Sequence, residues 1–299
     1  MRKLRMKKID LSIIIVSYNT KELLITCLNS ITQSLKHATS HYEVIVIDNG
    51  STDESTHAIQ AQFPQAKLLI NKKNVGYGKA NNQGVASALG EVILILNSDT
   101  QTIDGAIEKL YQFFKGLSEK SVVGGKLFNT DGTPQASCGP AYTLPMIFAA
   151  LFLKGDYLNI TRTSPNKIKR VDWIMGACMM MQKRAFSEIG GFDEGIFMYM
   201  EEIDWQYRAQ KLGYGVYFYP HAHFTHVGAG SSHGRTTPIL NVFRGFIYFY
   251  KKHHSLVSNI LLRVILVCKS IFALILFTLL NKKDDQKLYK AALKIALSL

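Results

Sequence analysis

Three groups of residues in this chain carry side chains suited to metal, phosphate or proton chemistry. Residues 94–100, LILNSDT, are an apolar run that stops at a carboxylate, Asp99. If residues 92–96 form a strand buried on both faces, Asn97, Ser98 and Asp99 sit where its carboxyl end opens into a crevice. An oxygen donor fixed there can hold Mg²⁺ or Mn²⁺, and the ion can hold a diphosphate. Asp at a strand end also makes turns and caps helices, so this tripeptide alone leaves both readings open. Residues 197–208, FMYMEEIDWQYR, put Glu201, Glu202 and Asp204 in a first helical turn, where carboxylates suit the positive end of the helix. Asp204 and Arg208 share a face at i, i+4 and can pair. An ionised carboxylate can take a proton from an attacking hydroxyl, typically worth ~10²–10⁴-fold, whereas a solvated acidic helix start is the plainer reading. His221, His223 and His226 form the third group, just beyond a strand expected at 216–219. Their HxH spacing can suggest a metal pair, although a lone histidine is more often structural.

The elements that must position these groups follow from hydrophobic patterning. SIIIVS at 12–17 reads as a buried strand, SYNT as a turn, and 21–35 as a helix with Leu23, Leu24, Cys27, Leu28, Ile31 and Leu35 at helical spacing. EVIVI at 43–47 is a second strand that ends at Asp48, and NGSTD caps a helix running to about residue 62. A short strand at 67–70 precedes NKKNVGYGKANNQG, whose glycines surround a helix start. Alternating strands and helices with short turns predict an α/β fold: a Rossmann-type, mostly parallel sheet covered by helices on both faces. Ligands then bind at the strands' carboxyl ends, and those ends carry Tyr18 and Asn19, Asp48, Asn74 with Gly76, and Asn97 to Asp99. A GxGxxG turn is missing after the first strand, which disfavours a nicotinamide or flavin dehydrogenase. Residues 129–170 read either as a mobile loop over the site or as a surface insertion, and 171–181 resume a strand-like run whose Met179–Met181 suit a core.

Composition bounds the class. With 299 residues, 47% hydrophobic and 19% charged, the chain is long and apolar enough for a large core. Cys27, Cys138, Cys178 and Cys268 are scattered without a CxxC pair, which argues against a zinc site or disulfide framework and fits a reducing compartment. Of the net charge of +13, residues 1–8 supply +5 and residues 235–299 supply +9, leaving −1 between them. Nucleic acid is therefore disfavoured as a partner, since the basic surface is not on the folded domain. Basic ends beside apolar segments suit an anionic membrane surface. Residues 256–280 are long enough to span a bilayer, but Arg263 and Lys269 make spanning costly, by roughly 2.5–3.5 kcal/mol each, and an interfacial or re-entrant helix is the safer expectation. Residues 282–299 read as an amphipathic, Lys-rich surface helix, or as an interface with another subunit of an oligomer.

SIIIVSYN, VIVIDNGSTDES, NKKNVGYGKANNQG, LILNSDT and GGFDEGIFMYMEEIDWQYRAQKLGYG, in that order, resemble glycosyltransferase family 2, particularly its bacterial rhamnosyltransferase-like branch, over roughly residues 11–255. The resemblance implies a GT-A-like catalytic domain at 1–235 followed by C-terminal membrane-associated helices at 236–299. It implies inverting, metal-dependent transfer of a sugar, with rhamnose a candidate, from a dTDP-, UDP- or GDP-linked donor to a lipid-linked saccharide in cell-surface polysaccharide synthesis. Asp99 and His226 would bind the Mg²⁺ or Mn²⁺, and His221 and His223 would be structural. Asp48 would bond the pyrimidine, with Tyr18 and Asn19 beside base and ribose, and Asp172 would lie near the donor sugar or acceptor. Glu202 matches the general base; relatives generally have Glu-Asp where this chain has Glu201-Glu202, so Glu201 and Asp204 stay as alternative bases. The processive QxxRW motif is missing at both Trp173 and Trp205, which favours single transfer. The implied location is the cytoplasmic face of the inner membrane, peripheral or monotopic. Two rivals remain. A nucleotidyltransferase would want a Gly-rich, basic loop where SYNT stands, and a non-catalytic nucleotide-sugar-binding protein would explain the Glu-Glu departure.

Overall fold

The computed structural model describes residues 8–228 and 236–298. Much of the basic N-terminal run and part of the FTHVGAGSS segment lie outside the described residues. The chain begins β1 (Leu11–Ser17), α1 (Lys21–Ser34), β2 (Tyr42–Asp48), α2 (Ser55–Gln62), β3 (Lys67–Ile70), α3 (Tyr77–Ser87) and β4 (Val92–Asn97). It continues with β5 (Thr100–Thr102), α4 (Ala106–Lys115), β6 (Ser121–Phe128), β7 (Pro134–Gln135), β8 (Cys138–Gly139) and α5 (Leu144–Phe152). Then follow β9 (Lys169–Val171), β10 (Trp173–Ile174), β11 (Cys178–Gln182), α6 (Lys183–Glu188), α7 (Glu201–Lys211) and β12 (Gly215–His226). Three helices close the chain: α8 (Thr236–His253), α9 (Leu256–Leu279) and α10 (Lys283–Leu297).

The main sheet runs β3-β2-β1-β4-β11-β6-β12-β5. Its first four strands are parallel, β11 inserts antiparallel between β4 and β6, and β12 is parallel to β6. A parallel strand covered on both faces must be apolar at every position, which explains the unbroken IIIV, VIVI and ILIL runs. Ile13, Ile15, Val46, Leu94 and Leu96 pack beneath α1 and α4, while Ile14, Ile45, Ile47, Ile93 and Ile95 pack against α3, α6 and α7. Pairing of Ser17 with Asp48 and of Val16 with Asn97 lines up the polar strand ends on one edge.

Several expectations change in detail. β12 runs through His221 and His223 to His226 instead of stopping at residue 219. Pro220 reads as a stop because it cannot donate to the ladder, but it falls at a register shift between Tyr219 and His223, where a proline is tolerated. The 171–181 run is broken into β10 and β11 around Gly176. Residues 129–170 contain β7, β8 and α5, and α5 buries Ile147. The α8–α10 helices share one buried cluster with α5 and the site-bearing part: Tyr142, Trp173, Met200 and Ile203 pack with Phe243, Leu262 and Ala292. The buried face of α10, Leu288, Ala292 and Ala296, is covered within the chain, which accounts for its amphipathic pattern without a second subunit.

Candidate functional site

The strand ends are stitched together by side chains acting on neighbouring backbone. Asn19, in the left-handed region at φ 51°, donates its N–H to Ser51 Oγ (2.9 Å), and its Oδ1 accepts from the Thr52 N–H (2.8 Å). Asp48 Oδ1 accepts from the Gly50 and Ser51 N–H groups at 3.2 and 2.9 Å, whereas Oδ2 is buried without a hydrogen-bond partner. Asn49 grips the 71–76 turn, donating to Asn74 Oδ1 (2.9 Å) and accepting from the Val75 N–H (3.1 Å). Gly76 sits at φ 92°, and a Cβ there would come within 2.8 Å of the Phe197 carbonyl oxygen, so only glycine lets the two segments meet. Tyr18 is half-buried beside them.

At the end of β4, Asp99 and His226 come together: His226 Nε2 lies 3.3 Å from Asp99 Oδ1, and both side chains are about 8% exposed. Gln135 decides what that nitrogen can do. Its Oε1 is 2.8 Å from His226 Nδ1, and its amide donates to Asn129 Oδ1 and to the His226 carbonyl at 2.9 and 3.2 Å, so the oxygen faces the ring and Nδ1 carries the proton. Nε2 is then an acceptor, facing an acceptor oxygen of Asp99 and the Asn97 amide at 3.2 Å. Two acceptors held side by side in a buried place, with the histidine oriented from behind, fit a hard divalent cation. Among the described residues no group of three or more His, Cys, Asp or Glu forms a complete cage. Mg²⁺ commonly takes one or two protein ligands and completes its shell with phosphate and water.

The second half of the site is the start of α7. Two successive non-glycine residues, Tyr199 and Met200, have φ of 66° and 79° and turn the chain sharply into the helix. Glu201 and Glu202 follow, and the Oε2 atom of each is buried without a partner. A Cβ at Gly176 would contact Glu202 Cβ at 3.4 Å, so β10–β11 closes against this carboxylate. The Tyr77 hydroxyl reaches both Asn97 Oδ1 (2.8 Å) and the Gly176 carbonyl (3.1 Å). Burial, and then the charges of Glu201 and Glu202, hold that hydroxyl well above its ordinary pKa, so Tyr77 ties the two halves together. Burial also pushes Glu201 well above the usual carboxylate range, and the neighbouring Glu202 charge adds to the rise. Glu202 is raised by burial too, but its own backbone N–H and the Arg162 charge pull it back. Unequal environments separate the pair: both carboxyls are raised by burial, but only Glu202 has a cation, Arg162, drawing it back down.

Other predicted residues are placed differently. Asp204 is fully buried and already taken: it accepts from Arg208 Nε (2.8 Å), Lys252 Nζ (2.9 Å) and His253 Nε2 (2.6 Å), docking α8 on α7. His223 donates to the Pro220 carbonyl (2.9 Å) and packs edge-on against Phe128, while His221 packs edge-on against Tyr219; neither joins His226. Asp172 accepts from the Ala141 N–H (2.8 Å) and so anchors the 129–170 segment beside Trp173. That segment supplies two site residues not singled out from the sequence, Gln135 and Arg162. Arg162 lies over the Trp173 ring at 5.5 Å and donates to the Tyr142 hydroxyl (3.1 Å). A separate cavity of about 580 Å³ between α1 and α4, lined by residues including His37, Thr102, Asp104 and Glu108, contains none of these groups.

Comparison with known proteins identifies the family and the fold. A model of the family described as glycosyl transferase family 2 matches residues 12–207. The chain is 30% identical over 209 residues to the N-acetylglucosaminyl-diphospho-decaprenol L-rhamnosyltransferase of Mycobacterium tuberculosis, covering 63% of this chain and 67% of that protein. It is 29% identical over 206 residues to the low-salt glycan biosynthesis hexosyltransferase Agl10 of Haloferax volcanii, covering 68% of this chain and 62% of the relative. The fold is similar to that of GalNAc-T7 solved with UDP, GalNAc and Mn²⁺, at a TM-score of 0.58 and 17% identity, over 82% of this chain and 50% of the other. It is also similar to residues 1–349 of S. aureus TarS, at a TM-score of 0.53 and 14% identity, over 96% and 90% of the two chains. At such identities these structures speak for the fold alone, which is GT-A.

Proposed function

The chain belongs to glycosyl transferase family 2, and from that premise we propose that it catalyses inverting, non-processive transfer of one sugar from a nucleotide-diphosphate donor to a lipid-linked glycan. The observation that carries this reading is that, among the described residues, the buried carboxylate oxygens without partners are Asp48 Oδ2, Glu201 Oε2 and Glu202 Oε2. Orphaned carboxylate oxygens are costly to bury, and at an open sheet edge they mark where a ligand's donors go.

Asp48 Oδ2 accepts the ring N–H of the donor base, with Tyr18 and Asn19 flanking base and ribose and the Asn74–Gly76 turn beside them. Asp99 and His226 would hold Mg²⁺ or Mn²⁺, which when bound neutralises charge on the departing diphosphate. Glu202 takes the proton from the acceptor hydroxyl as that oxygen attacks the anomeric carbon. The bond to the diphosphate oxygen breaks on the opposite face and the configuration inverts. Arg162 favours the ionised form of Glu202. Asp172 lies at the acceptor side through its hold on the 129–170 segment.

Rhamnose and a polyprenyl-diphosphate-linked acceptor are the favoured substrates, by analogy with the mycobacterial relative. Such an acceptor places the enzyme at a membrane, at its cytoplasmic face, in keeping with free thiols at Cys27, Cys138, Cys178 and Cys268.

Donor hydrolysis by the purified chain, across UDP-, dTDP- and GDP-sugars with Mn²⁺ or Mg²⁺, tests the reading. One nucleotide diphosphate should be released, metal-dependently, and Asp99→Ala should abolish release. Donor binding without release or transfer, even with lipid acceptor added, would instead identify a binding protein.

A further inference from the structure

Helix α9 has an exposed side unlike that of a water-soluble helix. It buries Asn259, Leu262, Leu266, Ser270 and Ala273 against the rest of the chain. These recur at helical spacing and occupy one side, packed with α5, α8 and α10. The opposite side carries Val257, Ile260, Leu261, Val264, Phe272 and Ile275, all between 48% and 65% exposed. Every exposed residue of α9 is apolar apart from Thr278. Both of its charges are turned back into the protein: Arg263 donates to the Ala296 carbonyl (3.0 Å), and Lys269 to the Leu151 carbonyl of α5 (2.7 Å). The patch continues onto α5 and the turn after it, where Phe148, Leu153, Leu158 and Ile160 are exposed at 43–63%.

Two observations say what covers this face. A helix crossing a bilayer meets lipid on all sides or is enclosed by other crossing helices. α9 instead packs one whole side on elements continuous with the α/β core, and so can be immersed only to half its thickness. Exposed lysines also stand at both ends of the helix, Lys251 before it and Lys282 and Lys283 after it. Along α10, Lys283, Lys287, Lys290 and Lys294 form a further exposed stripe opposite the buried Leu288, Ala292 and Ala296. A spanning helix carries its basic flank mainly on one side of the membrane, whereas basic residues at both ends place both ends at one surface.

We propose that α9, roughly 36 Å long, lies flat in the headgroup–acyl boundary of an anionic bilayer together with α5, and does not cross it. This rests on the proposed lipid-linked acceptor and gives it a path. The same 129–170 segment that carries α5 carries Arg162 beside Glu202, so the surface that meets lipid is joined covalently to the wall of the site.

Cys268 is the natural reporter. It lies midway along α9 on the exposed side, while Cys27, Cys138 and Cys178 are buried. The full chain, labelled there with an environment-sensitive fluorophore, is mixed with phosphatidylcholine vesicles with and without phosphatidylglycerol. Quenchers are placed at shallow or deep acyl positions. A blue shift dependent on phosphatidylglycerol, with shallow quenching exceeding deep quenching, is expected. Ile271→Asp with Ile275→Asp should weaken vesicle binding about tenfold or more, without changing donor hydrolysis in detergent. Dominant deep quenching would mean a spanning helix and overturn the proposal. No shift on any vesicle, with sedimentation showing a dimer or a monomer, would assign the face to a second copy or to water and overturn it equally. Because vesicle binding is read without any sugar, its failure is distinguishable from loss of donor hydrolysis, which bears on the transfer reaction instead.

Discussion

The His226 ring is useful because its two nitrogens face different partners. Gln135 Oε1 accepts a hydrogen bond from the Nδ1–H and leaves the Nε2 lone pair beside Asp99. Removing that oxygen in Gln135→Ala should raise the Mn²⁺ concentration for half-maximal donor hydrolysis by about 10–100-fold, the usual consequence of losing the group that orients a ligand. Isothermal titration with Mn²⁺ plus nucleotide diphosphate checks it. A second expectation concerns pH. A base works only when deprotonated, and burial raises Glu202, so kcat/KM for transfer should fall on acidification at a higher pH than an ordinary glutamate would give. Arg162 lowers Glu202, so Arg162→Gln should move that acid limb to still higher pH; a merely structural Arg162 would lower the rate at every pH and leave the limb in place. Glu201 adds a stability counterpart. Its folded pKa is raised, so its stabilising contribution is full below the unfolded value and is lost as pH rises. Glu201→Gln should therefore unfold at a higher temperature than wild type at pH 8, with the difference closing towards pH 4. The positions of Asp48, Asp99 and Glu202 at strand ends and a helix start were legible in the sequence, while their expected roles came from the family resemblance. Gln135, Tyr77 and Arg162 were not legible, since each acts on a partner 20 or more residues away that no local pattern announces.

Among the elements, α3 and α7 are held by close approaches. Gly84 lets α3 settle on the sheet: a Cβ there would meet Ile14 Cγ2 at 2.5 Å and Ile47 Cδ1 at 2.7 Å. Gly84→Val should destabilise the protein by about 1–3 kcal/mol through overpacking, measured by urea unfolding. The start of α7 is fixed by α8, whose Gly245 admits Met200 and whose Lys252 and His253 reach Asp204. Asp204→Ala leaves those donors facing an empty buried site and should cost about 3–5 kcal/mol. Strand and helix order was readable because parallel strands are apolar throughout. The antiparallel insertion of β11 was not, because an apolar run such as CMMMQ has no direction, and the extension of β12 to His226 was hidden by Pro220.

At the scale of the whole molecule, the expected division at residue 235 separates parts that share a core. Trp173, Met200 and Ile203 pack with residues of α8, α9 and α10, and α8 supplies partners to Asp204. A fragment ending at residue 235 should thus lose donor hydrolysis along with α8–α10, and not merely its attachment to membranes; activity of the fragment in detergent is the check. Charge and apolar composition change near residue 235 because the exposed face changes there, while the buried contacts continue across it. In the proposed reaction Glu202 drives inverting transfer with the donor held at Asp99 and Asp48. The most direct measurement is the anomeric configuration and rate of product formed on a polyprenyl-diphosphate-linked sugar, by wild type and by Glu202→Gln. An inverted product is expected, with a loss of about 10²–10⁴-fold in Glu202→Gln and donor binding intact. A retained configuration, or unchanged turnover in Glu202→Gln, would contradict this mechanism.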